Sequence, residues 1–217
     1  MDEGRKIILN KMFSVLYNTL GPSYWWPGDT IFEICIGAIL TQNTNWNNVE
    51  KAISNLKANN LLSPERLFLL DDEKLAELIR PAGYFRIKTN RVKNFLLFLK
   101  QEVNFEIEKL KEYSLYDLRN KLLSVKGIGP ETADSMLLYG FEKEIFVVDA
   151  YTHRIFNRHN LIEEQISYEE LQEFCMQNLP KDIHIYKEFH ALIVRVGKKW
   201  CKKKKADCNT CPLSDIN

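Results

Sequence analysis

The chain has 217 residues, enough for one large domain or two small ones. Hydrophobic residues make up 45% and charged residues 27%, and the balance of 30 Lys and Arg against 29 Asp and Glu excludes nucleic-acid binding through net charge alone. No apolar run reaches the roughly 18–20 residues that span a bilayer, and the opening Met1–Gly4 lacks a signal-peptide pattern, so we expect a cytoplasmic protein.

Apolar residues recur with helical spacing along nearly the whole chain. The first six predicted helices are residues 6–20, a segment opened by the capping box Thr30–Glu33, a segment around 49–56, one from Ser63 and Pro64, one around 75–79, and a long one after Gly83. The next five run from the capping box Ser114–Asp117 to about Ser124, from Pro130 through Tyr139, and over residues 150–159, 167–178 and 183–198. Only Ile145–Val148 is typical of a strand, and it has no partner. The pattern predicts an all-α protein.

A glycine-rich turn separates two of the predicted helices. Gly127 and Gly129 flank a single residue, which allows a tight reversal, and Pro130 then starts the second helix. The unpaired N–H groups of such a helix start can bind a backbone phosphate. An ordinary helical hairpin is the alternative on spacing alone.

A carboxylate follows the apolar stretch before the predicted helix at 150–159. Asp149 stands in the segment Val148-Asp149-Ala150-Tyr151, with Arg154 five residues after it. Its position indicates either a helix N-cap or a group exposed to a substrate. The local sequence leaves both interpretations open.

The five cysteines are of two kinds. Cys35 and Cys175 lie in stretches with helical apolar spacing and are expected to be small buried thiols. Cys201, Cys208 and Cys211 crowd into eleven residues, and the odd total argues against a disulfide framework. The C-terminal region is also basic, with four consecutive lysines at Lys202–Lys205.

The hairpin and the carboxylate together resemble the helix-hairpin-helix DNA glycosylase family, the endonuclease III superfamily. The family pattern G-h-G-x-x-T/S-A is matched from Gly127 through Gly129 and Thr132 to Ala133, and the V-D-x-H/Y pattern by Val148–Tyr151. The Gln and Thr of the family's L-x-x-Q-x-T segment are matched by Gln42 and Thr44, close to Leu40. The resemblance covers nearly the whole chain.

The resemblance implies a fold of two helical domains with a central cleft. The six-helix domain would span residues 29–140 and carry the hairpin, and residues 1–28 with 141–217 would form the second domain. The partner would be double-stranded DNA containing a damaged base, bound by a monomeric protein that extrudes the damaged nucleotide. Gly127, Gly129 and Thr132 would bind the DNA backbone, and Gln42 would fill the gap left by the extruded base.

The resemblance also implies an enzyme that hydrolyses an N-glycosidic bond. Asp149 would be the catalytic residue, since a fixed carboxylate stabilises the oxocarbenium character that develops at C1′. Bifunctional members carry a lysine four residues after the first hairpin glycine, and this position is Glu131 here. A carboxylate forms no Schiff base, so we expect a monofunctional glycosylase without lyase activity.

Aromatic residues point to one branch of the family, the 3-methyladenine DNA glycosylases. Trp26 and Pro27 in the W-W-P segment, Trp46 after Gln42, and Glu131 are similar to that branch. By this resemblance these four residues would line the base pocket, with Lys198 near it. The electron-rich rings of the tryptophans would bind a cationic alkylated purine. Packing in the core is the alternative interpretation of the tryptophans. An oxidised pyrimidine or mismatched base as substrate, or a DNA-binding damage sensor without catalysis, also remains open.

The C-terminal cysteines match three of the four ligands in the family's C-x6-C-x2-C-x5-C iron–sulfur loop. Cys201, Cys208 and Cys211 would hold a [4Fe–4S] cluster, but the fourth position is Asn217. Zinc and three free thiols are the other interpretations. The lysines in the loop are either solvated surface or contacts to the DNA backbone.

Overall fold

The computed structural model describes residues 3–216 and is all-α. Within these residues there is no β-strand, and the one isolated bridge joins Cys201 and Ala206. None of the described helices combines the length and apolar character required to cross a membrane. The predicted strand at Ile145–Val148 is a buried segment without regular secondary structure.

The chain divides into two compact units. The central unit is Trp26–Lys143, and the terminal unit comprises the described residues of Met1–Trp25 and Glu144–Asn217. The helices of the central unit are α2 (Ile31–Thr41), α3 (Trp46–Ala58), α4 (Pro64–Leu69), α5 (Asp72–Leu78), α6 (Phe85–Val103), α7 (Leu115–Ser124) and α8 (Pro130–Ser135). Those of the terminal unit are α1 (Glu3–Leu20), α9 (Ala150–Arg158), α10 (Tyr168–Asn178) and α11 (Ile183–Lys199).

Helix α2 forms the centre of the central unit. Nine of its eleven residues are buried, so it is apolar on all sides, as expected of a core helix. Thr30 caps it by accepting a hydrogen bond from the Glu33 N–H at 3.1 Å. The predicted capping box is only half formed, because Glu33 accepts from the Asp29 N–H and pairs with Lys57 at 2.7 Å instead of returning to Thr30.

The helix predicted from Pro130 through Tyr139 changes its hydrogen-bond pattern part of the way along. Helix α8 ends at Ser135 and continues as a single π-helical turn over Met136–Gly140. The Phe141 N–H donates to the Met136 carbonyl five residues earlier, at 3.0 Å. Such turns are frequently found at functional sites. This one brings the Tyr139 ring beside Trp26.

In the terminal unit, α9 and α1 pack on α11. The buried segment Ile145–Val148 leads into α9, and the Gln172 amide donates to the Phe146 carbonyl at 2.6 Å. This hydrogen bond supplies a polar partner that a neighbouring strand would otherwise provide. The segment ends at Asp149, the N-cap residue of α9.

Candidate active site

The predicted hairpin is present between α7 and α8. Gly127 has φ +99°, a conformation that L side chains rarely adopt, and a Cβ atom there would overlap the side chain of Arg91. Gly129 is the N-cap of α8 and Pro130 its first residue. Gly127 and Gly129 are both exposed, and Thr132 is buried. Their contact with a DNA backbone stays a prediction.

A buried ion pair holds the two hairpin helices together. Arg119 of α7 donates from Nε to Asp134 Oδ1 at 2.7 Å and from Nη2 to Oδ2 at 3.1 Å. The Asp134 side chain is fully buried. Two parallel hydrogen bonds fix the relative orientation of both side chains, so the pair links α7 directly to α8. Neither residue belongs to one of the sequence motifs described above.

The Gln42 side chain is bound to this hairpin. Its Nε2 donates to the Gly127 carbonyl at 3.0 Å and to Thr132 Oγ1 at 2.9 Å. Its Oε1 accepts a hydrogen bond from Arg91 Nη1. The structure therefore brings together three of the predicted DNA-binding residues within the central unit. Arg91 was missed, since nothing in its local sequence indicates a contact 49 residues away.

The tryptophans of the predicted base pocket lie side by side. The Trp26 and Trp46 ring centroids are 5.2 Å apart with the planes at 82°, and Tyr139 lies 5.3 Å from Trp26. Both tryptophans are only half-buried. A glycine at position 37 allows this packing, because a Cβ atom there would lie 3.2 Å from Trp26 Nε1. The cluster thus has partly exposed aromatic surface.

The other predicted pocket residues are exposed. Pro27 directly follows Trp26, and Glu131 lies in the first turn of α8. Lys198 lies in the last turn of α11, in the terminal unit. No lysine occupies the position of Glu131, and Lys126 is exposed on the turn before Gly127. The role of Pro27, Glu131 and Lys198 in a base pocket stays a prediction.

Asp149 is held at the N-terminus of α9, and its two oxygens have different surroundings. Oδ1 accepts hydrogen bonds from the Tyr151 N–H at 2.9 Å, the Thr152 N–H at 2.7 Å and Thr152 Oγ1 at 2.9 Å. Oδ2 lies 3.7 Å from His190 Nε2. The N-cap interpretation is therefore correct for Oδ1, while Oδ2 faces His190.

The surroundings of Asp149 favour its ionised form. Its side chain is 9% exposed, and burial alone would raise the pKa of the carboxyl group. His190 and the hydrogen bonds from Thr152 outweigh this effect and hold the pKa below its usual value. The result is a desolvated carboxylate that stays charged near neutral pH. Such a group stabilises a developing positive charge far better than a carboxylate in water does.

One of the four histidines of the chain, His190, lies beside the Asp149 carboxylate. It is buried on α11 and faces Asp149. The two residues are 41 positions apart in the sequence, and no local pattern links them. The sequence indicates only that His190 lies on the same face of α11 as Gly197, because the helical period brings residues seven positions apart onto one face.

The C-terminal cysteines lie in one loop. Cys201 is buried, Cys208 exposed and Cys211 half-buried, while Cys35 and Cys175 are buried free thiols as predicted. Burial raises the pKa of the Cys211 thiol, and the charges of Cys201 and Cys208 raise it further. Among residues 3–216, no three His, Cys, Asp or Glu side chains are grouped so as to hold a metal ion. The fourth position of the family loop, Asn217, lies outside the described residues.

Two arginines of α9 hold the cysteine loop in place. Arg154 Nε donates to the Cys201 carbonyl at 2.8 Å. Arg158 Nη1 contacts Cys201 Sγ at 3.1 Å and the Lys202 carbonyl at 2.9 Å, and its Nη2 donates to the Lys203 carbonyl at 3.1 Å. The side chains of Lys202–Lys205 remain exposed. The described ligand set is incomplete for a four-coordinate centre, and the loop has protein contacts of its own.

Comparison with known proteins identifies the family. The sequence model of the HhH-GPD superfamily of base excision DNA repair proteins matches residues 36–181. A candidate DNA repair glycosylase of Methanocaldococcus jannaschii is 46% identical over 217 residues, covering 100% of this chain and 98% of that protein. The chain therefore belongs to the HhH-GPD superfamily of base excision DNA repair proteins. It is accordingly a DNA N-glycosylase.

Solved structures agree with this assignment. The 3-methyladenine DNA glycosylase of H. pylori, in complex with 1,N6-ethenoadenine, is 30% identical with a TM-score of 0.76, covering 90% of this chain and 97% of that one. A non-covalent complex of endonuclease III with DNA has a TM-score of 0.82 at 21% identity, covering 100% of this chain and 94% of that one. The second similarity concerns the fold, and the all-α prediction is confirmed.

Proposed function

We propose that the protein removes alkylated purines such as 3-methyladenine from duplex DNA by hydrolysis of the N-glycosidic bond. The observation that carries the proposal is the buried, ionised carboxylate of Asp149, held by three hydrogen bonds to Oδ1 while Oδ2 keeps capacity for a substrate. Its negative charge would stabilise the oxocarbenium character at C1′.

The aromatic cluster supports an alkylated purine as the substrate. Trp26 and Trp46 present partly exposed ring surface, and a base stacked on an aromatic ring gains about 1–3 kcal/mol. Alkylation at N3 or N7 makes the purine cationic, which adds a cation–π attraction and makes the base a good leaving group. The 30% identity to the H. pylori 3-methyladenine DNA glycosylase points in the same direction.

A panel of damaged duplexes tests the substrate. We expect release of free methylated adenine from alkylated DNA, and no release from duplexes that contain thymine glycol or a mismatched base. Asp149→Asn is the control, because the amide oxygen still caps α9 while the negative charge is lost. Turnover should collapse while DNA binding survives. Release of an oxidised pyrimidine would instead favour an endonuclease III-like activity, and binding without any turnover would indicate a damage sensor.

We further propose that the enzyme lacks lyase activity. The position of the nucleophilic lysine in bifunctional relatives is occupied by Glu131, which is exposed and forms no Schiff base. Incubation with abasic DNA and borohydride should therefore trap no covalent adduct. A Glu131→Lys variant tests whether the position faces the sugar, and an adduct there but not in the unmodified protein supports the assignment. A strong adduct with the unmodified protein would overturn it.

For the cysteine loop we propose a [4Fe–4S] cluster bound by Cys201, Cys208 and Cys211. The support is the ligand spacing, which matches three of the four cysteine positions in the family's iron–sulfur loop. Absorbance near 400 nm with matching iron content, lost in Cys208→Ser, is the expected result. Zinc in place of iron, or neither metal in anaerobically purified protein, would reject the cluster.

A further inference from the structure

The second oxygen of Asp149 has a partner that the proposed chemistry does not yet use. Three hydrogen bonds from the start of α9 hold Oδ1, so they fix the position of the carboxylate without contacting Oδ2. His190 Nε2 lies 3.7 Å from Oδ2, longer than a hydrogen bond and within the range of an ion pair. Oδ2, the oxygen that these hydrogen bonds leave for the substrate, is therefore the one next to the His190 imidazole.

The backbone is arranged so that this contact forms. Gly197 lies seven residues after His190, close to two helical turns, and so on the same face of α11. A Cβ atom at Gly197 would overlap the Tyr151 ring and its Cβ, so α9 can approach α11 this closely only because residue 197 has no side chain. Arg154 Nη2, also on α9, lies 3.4 Å from the Gly197 carbonyl. The close packing brings the start of α9 within reach of His190.

Both side chains are shielded from water. Asp149 is 9% and His190 8% exposed, so a charge on Oδ2 is only weakly solvated. A buried carboxylate without a polar neighbour takes up a proton or turns toward solvent. The imidazole of His190 and the hydrogen bonds from Thr152 are the interactions that oppose this tendency at Asp149.

We propose that His190 is a positioning residue of the glycosylase reaction: it keeps Oδ2 of Asp149 oriented and ionised, while the helix N-terminus holds Oδ1. The inference rests on the proposed function, because it assigns a role in the same reaction. His190 need not touch the DNA. Its effect reaches the sugar through Asp149, whose charge it maintains at the moment when positive charge develops at C1′.

Single-turnover base release with excess enzyme measures this role. His190→Leu should lower the rate about 10- to 100-fold with unchanged DNA affinity, since it leaves a buried charge without its polar neighbour. His190→Gln, which restores a donor, should recover most of the rate. His184→Leu is the matched control, because it is the same change at an exposed position of α11. Equal rates for His190→Leu and the unmodified protein would overturn the proposal.

A double-mutant cycle separates positioning from simple loss of structure. If His190 acts through Asp149, then adding His190→Leu to Asp149→Asn should cause no further loss of rate. Losses that simply add would assign His190 a structural role. A titration of the Asp149 carboxyl group by carbon-13 NMR requires no substrate, and its midpoint should rise in His190→Leu but not in His190→Gln. An unchanged midpoint overturns the proposal even if the substrate panel fails, so the two failures are distinguishable.

Discussion

Gln42 Nε2 donates a hydrogen bond to Thr132 Oγ1 at 2.9 Å, which ties the end of α2 to the second helix of the hairpin. The same amide group donates to the Gly127 carbonyl and accepts from Arg91. In this structure the side chain predicted to enter DNA is thus occupied within the protein. It would have to exchange these partners for bases in order to fill a gap in the duplex.

The first prediction concerns the stability of this connection. Gln42→Ala removes three hydrogen bonds and should lower the free energy of unfolding by about 1–3 kcal/mol, and Thr132→Val, which removes one, by about 1 kcal/mol. Urea unfolding followed by circular dichroism measures both. Gln177→Ala is the control, because its amide is exposed and donates to Glu173 within the same helix. A Gln42→Ala variant as stable as the control would contradict the prediction.

The second prediction concerns the buried pair behind the hairpin. Arg119→Met leaves the Asp134 carboxylate buried without its ionic partner and should cost about 3–5 kcal/mol of stability. The double variant Arg119→Met with Asp134→Leu should regain most of that loss, since it removes both charges. Thermal and urea unfolding report the difference. Equal stability of the single and double variants would show that the pair is not what holds α7 and α8 together.

The third prediction uses the buried lysine of α6. Lys88 is 1% exposed and donates to the Leu40 and Ala82 carbonyls at 2.8 and 2.7 Å. Burial, and then the nearby Arg91, lower the pKa of its ammonium group to about 8 from 10.5. Between these values the unfolded chain binds more protons than the folded one, so this group makes the free energy of unfolding rise with pH from about 8 to 10.5, by up to about 3 kcal/mol.

Unfolding of Lys88→Met across this pH range provides the measurement. The difference in stability between the unmodified protein and the variant should increase with pH and level off above about 10.5. Lys93→Met is the control on the same helix, because the Lys93 ammonium group is paired with Asp72 and its side chain is 19% exposed. A difference that is flat from pH 7 to pH 11 would show that Lys88 keeps an ordinary pKa.

The fourth prediction concerns the lysines of the cysteine loop. Replacing Lys202–Lys205 with alanine should weaken DNA binding and reduce the slope of log K against log salt by about 0.9 for each lost phosphate contact. Base selectivity in single-turnover reactions should be unchanged. Replacing Lys109 and Lys111, which are paired with Glu106 and Glu108, is the control. An unaltered salt slope would identify the lysines as solvated surface only.

Sequence reasoning predicted the helices and the hairpin because both depend on local patterns. Apolar spacing defines α11, and the conformation at Gly127 is one that glycine readily adopts. The N-cap position of Asp149 was likewise readable from its neighbours. These features involve residues close in the sequence, so their physical cause is contained in a short segment.

Contacts between distant residues could not be predicted in the same way. Lys88 reaches the Leu40 carbonyl across 48 positions, and an isolated lysine on a helix is more often solvated than buried. The same holds for His190, because its contact with Asp149 depends on how closely α9 approaches α11. The half-formed capping box at Thr30 has the same cause, because Glu33 has a distant alternative partner in Lys57.

The position of Asp149 as the N-cap of α9, combined with its proposed catalytic role, limits how this enzyme can lose its activity. The carboxylate that would face the sugar also starts the helix whose Arg154 and Arg158 hold the cysteine loop. A mutation to alanine would therefore remove the cap of α9 together with the proposed catalytic charge. Natural loss-of-function variants of this kind should be degraded rather than persist as inactive DNA-binding competitors. Asparagine is the exception, and a cell carrying it would be expected to accumulate a folded protein that occupies lesions without repairing them.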